Sequence, residues 1–292
     1  MKTLVFALPG NEALAAALAV HLQAERGEAV IRRFPDGESY VRILSDVQDQ
    51  KVVLVCTLHQ PDQKLLPLYF MANTAKELGA AEVCLVAPYL AYMRQDKQFH
   101  PGEGVTSRYF ADLLSGTVDR LYTIDPHLHR FHHMNELYAI PAQALHAAPI
   151  VAAWVKAHID KPILIGPDEE SLQWVSEVAG LADAPYLVLN KTRLGDREVQ
   201  VTQPEMASYQ QHTPVLVDDI ISTARTMIET VQHLKQLTPQ APVCIGVHAV
   251  FAEGAYEALL QAGAAQVITC NTIPHISNGI QVDALLAEAI RT

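Results

Sequence analysis

Val215-Leu216-Val217-Asp218-Asp219-Ile220-Ile221-Ser222-Thr223-Ala224-Arg225-Thr226-Met227 passes from an apolar run through two carboxylates and a set of small and hydroxylic residues into a helical stripe. The apolar run predicts a buried strand, and Met227, Val231 and Leu234 recur at helical spacing. Strand, loop and helix in that order form the basic unit of an α/β fold. In open α/β sheets, ligands collect beyond the carboxyl ends of the strands. Successive backbone N–H groups and hydroxyls at a helix N-terminus cradle an anion. Asp218 and Asp219 repel phosphate, so they suit sugar hydroxyls or metal-bound water. An Asp N-cap before an ordinary helix would account for one acid and Ser222, but not for two acids followed by Ser-Thr-x-x-Thr.

The same grammar extends along the chain. Apolar runs at 52–56, 83–87, 121–124, 163–165, 186–189, 243–247 and 267–269 alternate with helical stripes such as Leu14, Leu18 and Leu22. This alternation predicts an α/β fold with mainly parallel sheets and helices on both faces. Residues 1–10 hold a short apolar run broken by Pro9-Gly10 and followed by Glu12, which predicts a first strand entering a helix rather than a secretory leader. No apolar run approaches the roughly 18 residues that would cross a membrane.

The two halves resemble each other. Val53-Leu54-Val55 leads through a loop and a helix to Val83-Cys84-Leu85-Val86, as Val215-Leu216-Val217 leads to Val243-Cys244-Ile245-Gly246. Gly79-Ala80-Ala81-Glu82-Val83 is echoed by Gly263-Ala264-Ala265-Gln266-Val267. This predicts a duplicated α/β domain, although shared α/β grammar contributes to the similarity. A chain of 292 residues accommodates two domains of about 150 residues. The expected boundary lies in the Pro/Ala-rich stretch 141–149, giving domains 1–145 and 146–292, with the last helix packing on the N-terminal domain.

Half of the residues are hydrophobic and 18 % are charged, an ordinary globular composition. The net charge of −11 opposes non-specific binding to nucleic acid or to membranes, both of which are anionic. An anionic metabolite then needs a local cluster of cations and N–H groups. Cys56, Cys84, Cys244 and Cys270 are far apart in apolar runs, which predicts buried, reduced thiols and a cytoplasmic protein.

The segment Asp218–Thr226 resembles the phosphoribosyl-pyrophosphate (PRPP) binding motif of type I phosphoribosyltransferases and PRPP synthetases. Further blocks, in order along nearly the whole chain, resemble the synthetases. Phe34-Pro35-Asp36-Gly37-Glu38 is similar to their adenine-binding loop, and Pro88-Tyr89-Leu90-Ala91-Tyr92-Met93-Arg94-Gln95-Asp96-Lys97 to their Pro-Tyr-x-x-Tyr-x-Arg-Gln-Asp block. Asp125-Pro126-His127 stands where the family has Asp-Leu-His, Gly166-Pro167-Asp168 where it has Ser-Pro-Asp, and Lys191-Thr192-Arg193 where it has a Lys-x-Arg catalytic loop. Thr272-Ile273-Pro274 and Leu286-Ala287-Glu288-Ala289-Ile290 resemble its closing segments.

The resemblance implies two tandem type I phosphoribosyltransferase-like domains and Mg²⁺-dependent transfer of diphosphate from ATP to ribose 5-phosphate. It implies that Phe34 stacks on adenine, that Asp36 and Glu38 accept hydrogen bonds from its polar edge, and that Gly37, Arg94, Gln95, Asp96 and His127 also belong to the ATP site. His127 and Asp168 would serve the metal, Lys191 and Arg193 would be catalytic cations, and Asp218, Asp219, Ser222, Thr223, Ala224, Arg225 and Thr226 would hold ribose 5-phosphate. It further implies a homo-oligomer, a dimer or larger, with the Phe34 loop at a subunit interface. By themselves His127, His129, His132 and His133 also admit a zinc cluster, and Lys-x-Arg followed by Gly195-Asp196 admits a solvated basic loop. The chain departs from the pattern at Ser222, where Asp is frequent, and at Ala224-Arg225, where the family has Gly-Gly. If the second of these positions needs a positive φ, Arg225 is strained by roughly 1–2 kcal/mol; a helical Arg225 would instead lie near phosphate and tighten the sugar-phosphate site. Two other functions share parts of the pattern: a non-catalytic regulatory relative, and a nucleobase phosphoribosyltransferase, which would not require the Phe34, Arg94 and Lys191 blocks.

Overall fold

A computed structural model describes residues 2–128, 130–166, 171–189, 192–193, 199–200 and 206–291, with the backbone alone for 192–193, 199–200 and 207. The chain divides into two compact units: Met1–His146 with Thr272–Pro274 and Val282–Thr292, and Ala147–Asn271 with His275–Gln281.

The strands of the first unit are β1 (Thr3–Ala7), β2 (Glu25–Arg26), β3 (Ala29–Arg33), β4 (Ser39–Ile43), β5 (Lys51–Val55), β6 (Glu82–Val86), β7 (Arg120–Ile124) and β8 (Ala142–Leu145). Its six-stranded sheet runs β2-β1-β5-β6-β7-β8, with every pairing parallel. The second unit contains β9 (Pro162–Gly166), β10 (Tyr186–Val188), β11 (Thr192–Arg193), β12 (Val199–Gln200), β13 (Thr213–Ile221), β14 (Val243–Ala249), β15 (Gln266–Cys270) and β16 (Asn278–Ile280). Its sheet runs β10-β9-β13-β14-β15-β16, again parallel throughout. In each unit the first strand is followed by one that forms an edge of the sheet. Each then inserts an antiparallel hairpin, β3–β4 or β11–β12, and adds its remaining strands in order on the other side. The duplicated α/β grammar is therefore matched by duplicated topology.

Helices α1 (Glu12–Leu22), α2 (Asp62–Glu77) and α3 (Thr106–Ser115) belong to the first unit, and α4 (Ala148–His158), α5 (Leu172–Ala182), α6 (Arg225–Leu237) and α7 (Ala255–Ala262) to the second. Val52, Val53, Leu54 and Val55 are all fully buried, because helices cover both faces of a parallel sheet and no strand face meets water. Each such side chain contributes about 1.5–3 kcal/mol on burial. The last helix, α8 (Asp283–Arg291), falls in the first unit and packs on α1. There His21 Nε2 lies 2.8 Å from Asp283 Oδ2, and Lys51 Nζ donates to the Ile290 carbonyl at 3.1 Å.

Two local features differ from the sequence expectation. The β3–β4 hairpin was hidden by its many polar residues, and strand β13 does not end at Asp218. It continues through Asp219, Ile220 and Ile221 because β14 carries the pairing on, with Asp218 opposite Gly246, Ile220 opposite His248 and Ile221 opposite Ala249. All four cysteines are free and buried, and burial pushes the thiols of Cys56, Cys84 and Cys244 up to about 12. Among the described residues, no helix is long and apolar enough to cross a membrane.

Candidate active site

The end of β13 and the start of α6 form the candidate sugar-phosphate site. Asp218 and Asp219 are half-buried, and the Asp219 N–H donates to Asp218 Oδ1 at 2.9 Å. Ser222, Thr223 and Ala224 make the turn. Ala224, buried with 8 % of its surface exposed, takes a left-handed conformation (φ 57°, ψ 9°) and stands as the N-cap of α6, with its carbonyl accepting from Ile228 N at 2.8 Å. Arg225 is the first helical residue and is exposed. The positive φ therefore falls on the first of the two departing positions, and the strain considered for Arg225 does not arise. The Ser222 carbonyl accepts from Ala252 N at 3.1 Å, fastening the loop to the segment after β14, and the Thr226 carbonyl accepts from the Thr230 hydroxyl at 2.9 Å.

Phe34, Asp36, Gly37 and Glu38 form the tip of the β3–β4 hairpin. The Phe34 N–H donates to the Glu38 carbonyl at 2.8 Å, and the Gly37 N–H to the Phe34 carbonyl at 2.9 Å. Gly37 has φ +93°, a conformation that a side chain would strain. Asp36 Oδ1 accepts from Glu38 N at 3.2 Å, so one carboxylate oxygen already serves the turn. Phe34 remains 38 % exposed.

The loop after β6 carries Arg94, Gln95 and Asp96. Arg94 is exposed, Gln95 is half-buried, and Asp96 is buried. The Thr106 hydroxyl donates to Gln95 Oε1 at 2.9 Å. Tyr92, two residues earlier, has φ +62°, an outlier for a bulky side chain. Its hydroxyl donates to the Asp62 carboxylate, its ring lies 4.9 Å from that of Phe110, and the Asp62 hydrogen bond is the main cause of the raised Tyr92 pKa. Asp125 directly follows β7 with φ +33° and lies 3.1 Å from His146 Nδ1, and His127, half-buried, follows two residues on. Arg130 Nε reaches Asp96 Oδ1 at 3.4 Å, which brings the 94–96 loop and the His127 loop together. No hydrogen bond or ion pair among the described residues joins the hairpin tip to Arg94, Gln95 or Asp96.

Lys191, Asp168, His129 and the Gly195-Asp196 pair lie outside the described residues. Arg193 belongs to β11, paired in register with Val199 of β12. Among the described residues, no three His, Cys, Asp or Glu side chains gather into a metal-binding group. Arg32, Tyr40, Asp62 and Arg130 also contact these loops and carry no motif in the sequence. The first two are legible only once the hairpin register is known, and the other two only from long-range contacts.

Residues 3–117 match the family described as the N-terminal domain of ribose phosphate pyrophosphokinase, and residues 133–285 match the phosphoribosyl transferase domain. The chain is 33 % identical to the ribose-phosphate pyrophosphokinase of Methanopyrus kandleri, over 94 % of this chain and 93 % of that one. It is 28 % identical to that of Methanobrevibacter smithii, over 96 % and 97 %. The fold is that of the crystal structure of phosphoribosylpyrophosphate synthetase from Mycobacterium smegmatis, with a TM-score of 0.85 at 24 % identity, covering 100 % of this chain and 98 % of the other.

Proposed function

This chain belongs to the ribose-phosphate pyrophosphokinase family, and from that premise we propose that it transfers the diphosphoryl group of ATP to the C1 hydroxyl of ribose 5-phosphate, yielding PRPP and AMP. The observation that carries this reading is the β13–α6 loop, in which two half-buried carboxylates precede a helix N-terminus lined with hydroxyls. Hydroxyls and N–H groups there suit the 5-phosphate, while Asp218 and Asp219 suit the ring hydroxyls.

In the proposed reaction the C1 oxygen attacks the β-phosphorus, the bond from that phosphorus to the α-bridging oxygen breaks, and AMP departs with the electron pair. The C1 hydroxyl proton is released, and no covalent enzyme intermediate forms. Negative charge grows on the transferring group and on AMP. Lys191 and Arg193 are assigned to stabilise it, a contact of the kind whose loss costs about 3–4 kcal/mol. Phe34, Asp36, Gly37 and Glu38 are assigned to adenine, and Arg94, Gln95, Asp96 and His127 to the rest of ATP. Mg²⁺ fits this donor set, because it favours oxygen and keeps its waters: Asp168 would supply an oxygen, and His127 would act through a coordinated water. Bound there, the ion would neutralise phosphate charge. The Phe34 hairpin is assigned to a subunit interface of a homo-oligomer. The four free, buried thiols support a reducing, cytoplasmic setting.

Purified protein incubated with ATP, Mg²⁺ and ribose 5-phosphate is expected to release AMP only when sugar is present. Absence of sugar-dependent AMP across a range of sugar phosphates would overturn the synthetase reading in favour of a regulatory relative. Consumption of PRPP with a free nucleobase would favour a phosphoribosyltransferase.

A further inference from the structure

Strands β3 and β4 pair with Arg32 directly opposite Tyr40 and Arg33 opposite Ser39. Side chains alternate between the faces of a strand. Arg32, Phe34 and Tyr40 accordingly gather on one face, while Ile31 and Val41 on the other pack against the core. On the outer face the Arg32 guanidinium carbon lies 4.5 Å from the Phe34 ring centre and 4.4 Å from the Tyr40 ring centre. The two rings meet edge to face, with centres 5.7 Å apart and planes at 82°. The cation thus fills the corner between two nearly perpendicular rings. Ion pairs hold Lys2, Lys51, Lys76, Arg120 and Arg130, whereas Arg32 has no carboxylate partner among the described residues. The guanidinium lies instead against the aromatic corner.

A guanidinium over a ring is attracted to the π density and restricts the ring's rotation. Phe34 keeps 38 % of its surface exposed, so a ring oriented in this way still offers a platform on which a base stacks. We infer that Arg32 is a positioning residue: with Tyr40 it caps one side of Phe34 and presents the rest of that ring to the purine of the nucleotide. This inference rests on the nucleotide reading of the hairpin tip proposed above and adds to it a residue that need not touch the nucleotide itself. A free Phe34 side chain would have to give up rotamer freedom when the base binds; in this corner that freedom is already reduced.

The test compares Arg32→Ala and Arg32→Lys with the unmodified protein. Three quantities are measured: calorimetric binding of α,β-methylene ATP with Mg²⁺, the KM values for ATP and ribose 5-phosphate, and the thermal midpoint. Arg32→Ala is expected to weaken analogue binding and raise the KM for ATP by about three- to tenfold. The KM for ribose 5-phosphate, the kcat and the midpoint should stay close to those of the unmodified protein. Arg32→Lys, which keeps the charge but loses the planar fork, should recover part of the binding. Unchanged analogue binding in Arg32→Ala overturns the inference, and so does an equal loss for both substrates. Unmodified protein that binds the analogue but forms no AMP would overturn the activity, while the binding comparison would still judge Arg32.

Discussion

Arg130 Nε lies 3.4 Å from Asp96 Oδ1, an ion pair between the loop after β6 and the loop after β7. The Asp96 side chain is 7 % exposed and that of Arg130 is 50 % exposed. A carboxylate so nearly buried needs a partner, and the exposed half of the arginine limits what the pair contributes. Arg130→Ala is expected to cost about 1 kcal/mol and to lower the melting midpoint by about 2–4 °C. The KM for ATP should rise several-fold, with the KM for ribose 5-phosphate unchanged. Equal changes in both KM values would contradict the assignment of this pair to the ATP-side loops.

Ala224 and Arg225 occupy adjacent positions with opposite expected effects. Ala224 carries the left-handed strain, so Ala224→Gly should raise stability by about 1 kcal/mol, read as a higher denaturant midpoint. Arg225 opens α6 with an exposed cation beside the hydroxyl-lined turn. Arg225→Gly should raise the KM for ribose 5-phosphate several-fold. If that KM does not move, Arg225 has no part in holding the sugar phosphate.

Gly246 lies opposite Asp218 in the sheet. A Cβ placed there would meet Ile221 Cγ1 at 2.6 Å and Cδ1 at 2.7 Å. Gly246→Ala is expected to cost about 1–3 kcal/mol by overpacking and to shift the end of β13, raising the KM for ribose 5-phosphate as well. A double change with Ile221→Val should restore part of the stability, measured by denaturant titration.

His59 Nδ1 lies 2.9 Å from Lys64 Nζ, which also donates to the Thr57 carbonyl at 2.9 Å. Burial first, and then the Lys64 charge, lower the His59 pKa from 6.5 to about 4. The native state therefore binds fewer protons than the unfolded state between these values. The contribution of a neutral His59 is fully present above pH 6.5 and is lost as the pH falls towards 4. The denaturant midpoint should drop more steeply between pH 7 and pH 4.5 in the unmodified protein than in His59→Gln. Parallel pH profiles would rule out this origin.

The parallel α/β character was legible because buried strands of a covered sheet read as continuous apolar runs, as 52–56 and 215–217 do. The hairpin carrying Phe34 was not, because Arg32, Arg33, Ser39 and Arg42 break any apolar run and only the pairing reveals the strands. Strand β13 looked shorter than it is because Asp218 and Asp219 interrupt its hydrophobic run, while pairing with β14 requires only backbone groups. The left-handed Tyr92 carried no local turn signal and is anchored by Asp62 and Phe110; Asp125, followed by Pro126, did carry one, but only the structure places it against His146.

By itself the sequence determined the alternating parallel architecture, the duplicated order of elements and the small, hydroxylic turn after β13, since these depend on local periodicity and residue chemistry. Only the tertiary structure decided that Ala224 rather than Arg225 takes the left-handed turn, that Arg130 meets Asp96, and that Arg32 sits in the corner of Phe34 and Tyr40. The last two depend on strand register or on loops distant in the chain. The turn at Ala224 is set by where β14 releases β13 and where α6 must begin.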